Sequence, residues 1–198
     1  MTKADSPLPS IACVILSGGQ SRRFGANKAF AELDGRRMID RLISRLERQS
    51  SGPIAVNASR KADYHLDAYP FLSDRYEGKI GPLAGIHAAI CWADESGFDA
   101  VITTPVDTPL LPIDYVDRLT AAGAPSVAGY EARTHSAHGI WPTYLRKDLE
   151  LAIESGVRAV HEWVSLAHIK TCVFPLQSGY NPFYNVNTKE DLAELLQG

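Results

Sequence analysis

Fold and site are both decided by one stretch near the amino terminus, which reads Leu16, Ser17, Gly18, Gly19, Gln20, Ser21, Arg22, Arg23, Phe24, Gly25, Ala26, Asn27, Lys28. It directly follows the apolar, β-branched run 11–16, which predicts a buried strand that ends at paired glycines. Glycine lets the backbone take positive φ and bring its N–H groups against a ligand. Three cations, Arg22, Arg23 and Lys28, crowd the same loop. Backbone donors and fixed positive charge at the end of a first strand indicate a polyphosphate site.

Two familiar phosphate loops do not fit this stretch. The Walker pattern requires Gly-Lys-Ser/Thr, but Gly25 is followed by Ala26 and Asn27. The dinucleotide-binding fingerprint has one residue between its first two glycines, whereas Gly18 and Gly19 are adjacent. On this loop alone, a glycine-rich turn with solvated arginines is an equally good interpretation.

Composition and charge exclude several classes of protein. The 198 residues are 45% hydrophobic and 22% charged, which is typical of a soluble globular protein and, at this length, most simply of one domain spanning 1–198. A net charge of −3 gives no basic surface for nucleic acid or an anionic membrane. No apolar run approaches the roughly 18 residues of a membrane span.

The cysteines and the amino terminus indicate a cytoplasmic protein. Cys13, Cys91 and Cys172 are odd in number, lie far apart and form no metal-spaced pair, which favours reduced thiols. Each is more simply a small core residue than a nucleophile. Residues 1–10 lack the apolar segment of a signal peptide, and we expect them to form a loose tail.

Strand and helix patterns alternate along the chain. Short apolar runs predict strands at 11–16, 54–58, 99–104, 126–128 and 169–174, and helical spacing predicts helices at 38–46, 83–93, 115–122, 145–153, 157–166 and 190–196. This order predicts an α/β fold: a three-layer, mostly parallel, Rossmann-like sheet with helices on both faces. In such sheets ligands gather at the carboxyl ends of the strands. The loops at Gly18, Asn57, Asp74 and Asp107 all leave from such ends.

Asp107 is the second candidate for ligand chemistry. It follows the strand at 99–104 and lies between Pro105 and Pro109, which end the strand and fix the carboxylate just past it. Mg²⁺ needs only one or two carboxylates when phosphates and water fill its other positions. The alternative is a turn aspartate that caps the next helix. Asp74 is a further acidic candidate, with an exposed turn residue as its alternative.

Residues 16–28 resemble the nucleotidyltransferase signature, most closely its molybdenum cofactor guanylyltransferase (MobA-type) form, Leu-Ala-Gly-Gly-x-Ser-x-Arg-Met-Gly-x-x-Lys. The chain departs from that pattern at Ser17, where the family has alanine, and at Phe24, where it has methionine. Cytidylyltransferase relatives differ by carrying Ala-Ala-Gly at 17–19. The segment 104–109 resembles the family's Pro-x-Asp-x-Pro metal motif.

Further matches follow in the family's order. The segment 78–85 resembles its Gly-x-x-Gly-Pro-Leu-Ala-Gly loop, whose small residues let the backbone approach a ligand. The segment 156–158 lies where the family has Gly-x-Arg, and 185–188 resembles its closing Asn-x-Asn-Thr motif. Their alternatives are a tight turn with a helix start, a solvated helix arginine and a helix cap. His135 and His138 are interpreted as a loop near the second substrate and not as zinc ligands, because the Glu of a metalloprotease helix is missing.

The resemblance implies an enzyme that transfers GMP from GTP to molybdenum-bound molybdopterin, forming the molybdopterin guanine dinucleotide cofactor and releasing pyrophosphate. It implies Mg²⁺ as cofactor, a cytoplasmic location and a transient contact with a molybdenum-insertion protein or a molybdoenzyme chaperone. Two alternatives stay open. One is a related nucleotidyltransferase that uses CTP or acts on a sugar phosphate, and the other is a non-catalytic nucleotide-binding partner of molybdoenzyme maturation.

Residue chemistry and the resemblance together give the candidate site residues. The catalytic candidates are Arg22, Lys28 and Asp107, and Asp107 is also the metal ligand. The nucleotide-binding candidates are Leu16, Ser17, Gly18, Gly19, Lys28, Asn57, Asp74 and Asp107. The molybdopterin-binding candidates are Arg158, Asn185 and Asn187.

Overall fold

A computed structural model describes residues 9–18, 27–59, 61–76, 80–177 and 180–195. Within these ranges the strands are β1 (Ile11–Leu16), β2 (Glu32–Leu33), β3 (Arg36–Arg37), β4 (Ile54–Asn57), β5 (Phe71–Leu72), β6 (Ala100–Pro105), β7 (Ser126–Tyr130), β8 (Arg133–Pro142) and β9 (Lys170–Phe174). The helices are α1 (Met38–Glu47), α2 (Pro82–Glu95), α3 (Tyr115–Ala122), α4 (Arg146–Glu154), α5 (Val160–Leu166) and α6 (Lys189–Leu195). Short 3₁₀ turns lie at Lys28–Phe30, Lys61–Asp63 and Thr143–Leu145.

Seven of the strands form one central sheet in the order β5-β4-β1-β6-β8-β7-β9. The first four are parallel to one another, β8 runs antiparallel between β6 and β7, and β9 is parallel to β7. β2 and β3 pair separately as a small antiparallel ribbon. The predicted mostly parallel, Rossmann-like α/β fold is therefore confirmed.

Two apolar layers cover the two faces of this sheet. Successive side chains of a strand point to opposite faces, and in β1 Cys13 and Ile15 join one core cluster while Val14 and Leu16 join the other. Residues of α1 and α3 complete the first cluster, and residues of α2, α4 and α5 complete the second. Ten of the fourteen residues of α2 are buried, so this helix is enclosed on most of its surface.

β8 is the main difference from the sequence-based prediction. We expected a loop around His135 and His138, but both lie in this ten-residue strand, so that prediction is wrong. The segment His-Ser-Ala-His-Gly lacks the β-branched residues that mark strands, and pairing with β6 and β7 overrides this weak local preference. A Cβ on Gly139 would lie 2.8 Å from the Ser126 carbonyl oxygen, so the close pairing with β7 requires a glycine there.

The two ends of the chain differ slightly from expectation. Ser10 is not part of a loose tail, because its N–H and its hydroxyl donate to Asp99 Oδ2 at 2.8 and 2.9 Å. The rest of the predicted tail, 1–8, lies outside the described residues, as do 78–79 of the glycine-rich segment and 196 of the last predicted helix. No helix in the described ranges has both the length and the apolar character that crossing a bilayer requires.

Candidate functional site

Three neighbouring strands end together at one edge of the sheet. Leu16, the last residue of β1, is paired with Asn57 on one side and with Pro105 on the other. The Ser17 N–H then donates to the Asn57 carbonyl at 2.8 Å, which extends the ladder past the end of β1. This pairing places Leu16 and Ser17 beside the loop that carries Asp107.

At this edge three side chains meet that lie far apart in the sequence. Lys28 Nζ lies 3.6 Å from Asp107 Oδ2 and donates a hydrogen bond to Asn187 Oδ1 at 2.7 Å. The Val186 N–H donates to the Asp107 carbonyl oxygen at 2.8 Å, so the closing segment 185–188 is held against the Asp107 loop. Lys28, the Asp107 loop and the closing segment therefore form one cluster, which we call the strand-end site.

The Lys28–Asp107 pair is partly removed from water. The side chains are 15% and 24% exposed. Burial raises the pKa of the Asp107 carboxyl, and the Lys28 ammonium opposes that shift. A desolvated carboxylate is stabilised by each positive charge placed near it. One such carboxylate, with phosphate and water oxygens to complete the coordination, is a donor set that fits Mg²⁺.

Asn57 is buried and supports its neighbours. Its Nδ2 donates to the Leu72 carbonyl at 3.2 Å and to Asp74 Oδ1 at 2.9 Å. A Cβ on Gly85 of α2 would lie only 2.6 Å from Asn57 Oδ1. We expected the small residues of 78–85 to make room for a ligand, but at Gly85 they make room for this amide. Asp74 itself is exposed at the strand-end site.

Tyr64 is a member of the site that sequence reasoning missed. It is 2% exposed, its hydroxyl lies 2.7 Å from Ser17 Oγ, and it accepts a hydrogen bond from Asn27 Nδ2 at 3.2 Å. Its ring packs edge-on against Phe30 and Phe71. Tyr64 lies in an irregular segment with neither strand nor helix periodicity, so the sequence carries no signal for it.

A cleft of about 470 Å³ adjoins the strand-end site, and Asn187 contributes to both. It is bounded by the first half of β8 on one side and by residues 181–187 on the other, with exposed Asn185 among them. The register of β8 against β7 shifts here, since Val127 pairs with Gly139 but Ala128 pairs with His135. The three residues in between form a bulge, a feature that often occurs next to active sites.

Two histidines contribute to the wall of this cleft. His138 is buried, with Nδ1 3.3 Å from Thr104 Oγ1 and Nε2 3.4 Å from Thr108 Oγ1, and burial holds its pKa well below the ordinary value. It therefore braces the Asp107 loop as a neutral side chain. His135 stacks on Phe183 with ring centroids 4.7 Å apart, and its buried Nε2 has no hydrogen-bond partner among the described residues.

The remaining candidates lie apart from this group or cannot be placed. The exposed Arg158 guanidinium donates to the carbonyls of Ile153 at 2.7 Å and Val157 at 2.8 Å. These are contacts of a side chain that caps the carboxyl end of α4, and neither joins Asn185 or Asn187. Gly18 is at the strand-end site, where a Cβ would lie 3.2 Å from Asn57 Oδ1. Gly19 and Arg22 lie outside the described residues.

The sequence is similar to a known family of transferases. Residues 13–169 match the model of the MobA-like NTP transferase domain. A protein of Rhizobium leguminosarum bv. trifolii named molybdenum cofactor guanylyltransferase is 38% identical, with 98% of this chain and 95% of the relative covered. One of the same name from Shewanella loihica is 34% identical, with 94% and 96% covered.

Solved structures of two kinds share the architecture. A molybdopterin-guanine dinucleotide biosynthesis protein A from Archaeoglobus fulgidus superposes with a TM-score of 0.71 at 21% identity, covering 94% of this chain and 97% of that one. A 4-diphosphocytidyl-2C-methyl-D-erythritol synthase superposes with a TM-score of 0.68 at 12% identity, covering 97% and 99%. At these identities the likeness concerns the fold.

Proposed function

The chain belongs to the MobA-like NTP transferase family, and from this we propose that it transfers GMP from GTP to molybdenum-bound molybdopterin, with pyrophosphate as the other product. The curated relatives are named for that activity, and they match this chain over nearly its whole length. The observation that carries the proposal is the meeting of Lys28, Asp107 and Asn187 at the strand ends. Each of the three comes from a different motif. They must lie in one place to act together on a nucleotide and its acceptor.

The reaction demands alignment and charge neutralisation more than proton transfer. The terminal phosphate of molybdopterin is already an anionic nucleophile, so its attack on the α-phosphorus of GTP needs no base. The bond to the β-phosphate breaks, and its electron pair leaves with pyrophosphate. We propose that Lys28 stabilises the negative charge that builds up on the phosphates, because Asp107 and Asn187 hold its ammonium group in position before the substrates bind. Arg22, Gly18 and Gly19 are assigned to the same phosphates.

Asp107 is the residue that we assign to Mg²⁺. When bound there, Mg²⁺ supplies positive charge that offsets the negative charge gathering on the departing pyrophosphate. Asp107 needs such a partner because burial disfavours its charged form and Lys28 alone does not restore the ordinary pKa. The single carboxylate leaves most of the coordination to phosphate and water oxygens.

The two substrates are assigned to adjoining surfaces. We assign the backbone of Leu16 and Ser17 to the nucleoside of GTP, because the Leu16 side chain packs in the core. Asn57 supports Asp74 for contact with the ribose. Asn185 and Asn187 border the cleft beside β8, which we assign to molybdopterin. For Arg158 only the family motif supports a pterin contact, because its hydrogen bonds in the structure are to the carbonyls of Ile153 and Val157.

The test supplies purified protein with GTP, Mg²⁺ and molybdenum-bound molybdopterin and measures release of pyrophosphate and formation of the dinucleotide. We expect GTP to be used in preference to CTP. Pyrophosphate release with CTP but not with GTP would overturn the assignment of guanine as the base and would indicate a cytidylyltransferase. GTP binding without any pyrophosphate release would indicate a non-catalytic partner.

Lys28→Ala is the first predicted variant. Loss of a preorganised cation at the phosphates should lower turnover about a hundredfold, or about 3 kcal/mol of transition-state stabilisation. Lys61→Ala is the matched control, because Lys61 is 53% exposed and its cation pairs with the exposed Asp67. Near-normal turnover of Lys28→Ala would remove Lys28 from the mechanism.

A further inference from the structure

A second group of ligand-type side chains lies between α2 and α4. His87 and Cys91 are one helical turn apart on α2, and Glu150 projects from α4. The histidine and the cysteine are buried, whereas the Glu150 side chain is 32% exposed. One nitrogen, one sulfur and one oxygen atom of these three residues all lie within 4.8 Å of one another.

The three atoms are close enough together to contact one ion. His87 Nε2 lies 3.1 Å from Glu150 Oε1 and 3.3 Å from Cys91 Sγ. With zinc bonds of about 2.0–2.2 Å to nitrogen and oxygen and about 2.3 Å to sulfur, neighbouring ligand atoms of a tetrahedral site lie about 3.3–3.7 Å apart. The observed separations are close to that range, so a small outward shift of the side chains is enough to admit an ion.

Hydrogen bonds alone satisfy this arrangement poorly, because one imidazole nitrogen faces both partners. A protonated Nε2 has a single N–H, which can point at the Glu150 oxygen or at the Cys91 sulfur. An unprotonated Nε2 sets its lone pair against that of the carboxylate. A cation in contact with all three atoms interacts favourably with each of them at once.

Neighbouring contacts already orient the three candidates. The Tyr76 ring packs edge-on against the His87 imidazole with centroids 4.8 Å apart. Arg146 donates to Glu150 Oε1 at 3.1 Å and so fixes the carboxylate. This is the same carboxylate oxygen that His87 Nε2 approaches. Contacts that fix the orientation of ligand side chains are typical of protein metal sites. An ion that binds must displace the thiol proton of Cys91 to solvent.

We propose that His87, Cys91 and Glu150 form a binding site for one divalent metal ion of the borderline-soft class. Zn²⁺ is the best match, and the bound ion would link α2 to α4. The mixed nitrogen, sulfur and oxygen set suits Zn²⁺, whereas Mg²⁺ prefers oxygen alone. Partial exposure of Glu150 leaves a fourth position for water. The site is separate in residues and in chemistry from Asp107, and it does not depend on the proposed transferase activity.

The experiment titrates metal-free, untagged protein with Zn²⁺ in competition with a chromophoric chelator. We expect one Zn²⁺ per chain. Substituting Co²⁺ should give a thiolate-to-metal absorption band. Cys91→Ser should remove that band and weaken binding about a hundredfold, because a hydroxyl replaces a thiolate ligand. Cys172→Ser is the matched control, since this cysteine is free and lies on β9, and it should leave both results unchanged.

Thermal unfolding gives a second readout that separates metal binding from folding. Zn²⁺ should raise the Tm of the natural chain, since a ligand that binds only the folded state stabilises it, and the shift should vanish in Cys91→Ser. Should Cys91→Ser not fold, Glu150→Gln at the half-exposed position takes its place and should lose most of the shift. Equal Zn²⁺ affinity and equal Tm shift in the variant and the natural chain, or no stoichiometric binding at all, would overturn the proposal.

Discussion

A single hydroxyl group connects two parts of the strand-end site. Tyr64 Oη contacts Ser17 just after β1 and Asn27 just before Lys28, so it ties together the described ends of the glycine-rich loop. Tyr64→Phe keeps the buried ring and removes only these contacts. We expect a several-fold higher KM for GTP and about 1 kcal/mol less stability toward unfolding. Tyr144→Phe, at a position 69% exposed, is the control. An unchanged KM would show that the hydroxyl does not position the loop.

His138 gives the folded protein a pH dependence. Its pKa and that of His135 are lowered by burial in the folded state, so the unfolded chain binds protons that the folded chain does not. The free energy of unfolding should therefore be constant above the ordinary pKa of about 6.5 and fall below it, by up to about 1.4 kcal/mol per pH unit for each histidine. His138→Gln should reduce this slope. Denaturant unfolding at several pH values measures it, and exposed His65→Gln should leave the slope unchanged.

At the scale of elements, α6 positions the closing motif. Asp191 Oδ2 accepts from the N–H groups of Asn187 and Thr188, and Thr188 Oγ1 accepts from the Asp191 N–H, which is the reciprocal pattern of a capping box. The cap therefore fixes the amide that contacts Lys28. Asp191→Ala should raise the KM for molybdopterin several-fold with little change in the rate of GTP binding. Glu190→Ala, in the same helical turn and exposed, is its control, and equal effects of both would argue against a role of the cap.

Elements with strong local periodicity were predictable, and elements fixed by distant pairing were not. The helix at 115–122 matches α3, and α2 begins at Pro82, one residue from its prediction, because apolar spacing and proline act locally. β8 escaped prediction because its register depends on two other strands. The site followed the same division. Lys28, Asp107 and Asn187 belong to sequence motifs. Tyr64 reaches the glycine-rich loop, and Cys91 comes close to Glu150, only when the chain folds.

At the scale of the whole molecule, the strand-end site joins segments from both ends of the described chain, 16–18 with 27–28 and 185–191. A nucleotide that bridges them should stabilise the entire fold. At a GTP concentration a hundredfold above its Kd, with Mg²⁺ present, we expect about 2.7 kcal/mol of added stability toward unfolding, observed as a higher Tm. CTP should give a smaller shift at the same concentration, and Lys28→Ala should lose most of it. An equal shift in Lys28→Ala would place the nucleotide elsewhere.

The reversed direction of β8 has a consequence for how such enzymes diversify. We assign the nucleotide contacts to the loops after β1 and β6, whereas the bulged start of β8 supplies a wall of the neighbouring cleft. The short β7–β8 turn can lengthen or change composition without disturbing the parallel strands. With the cleft assigned to the acceptor, the choice of acceptor can change through evolution while the donor site stays constant, and transplanting this hairpin between relatives is a direct test of that assignment.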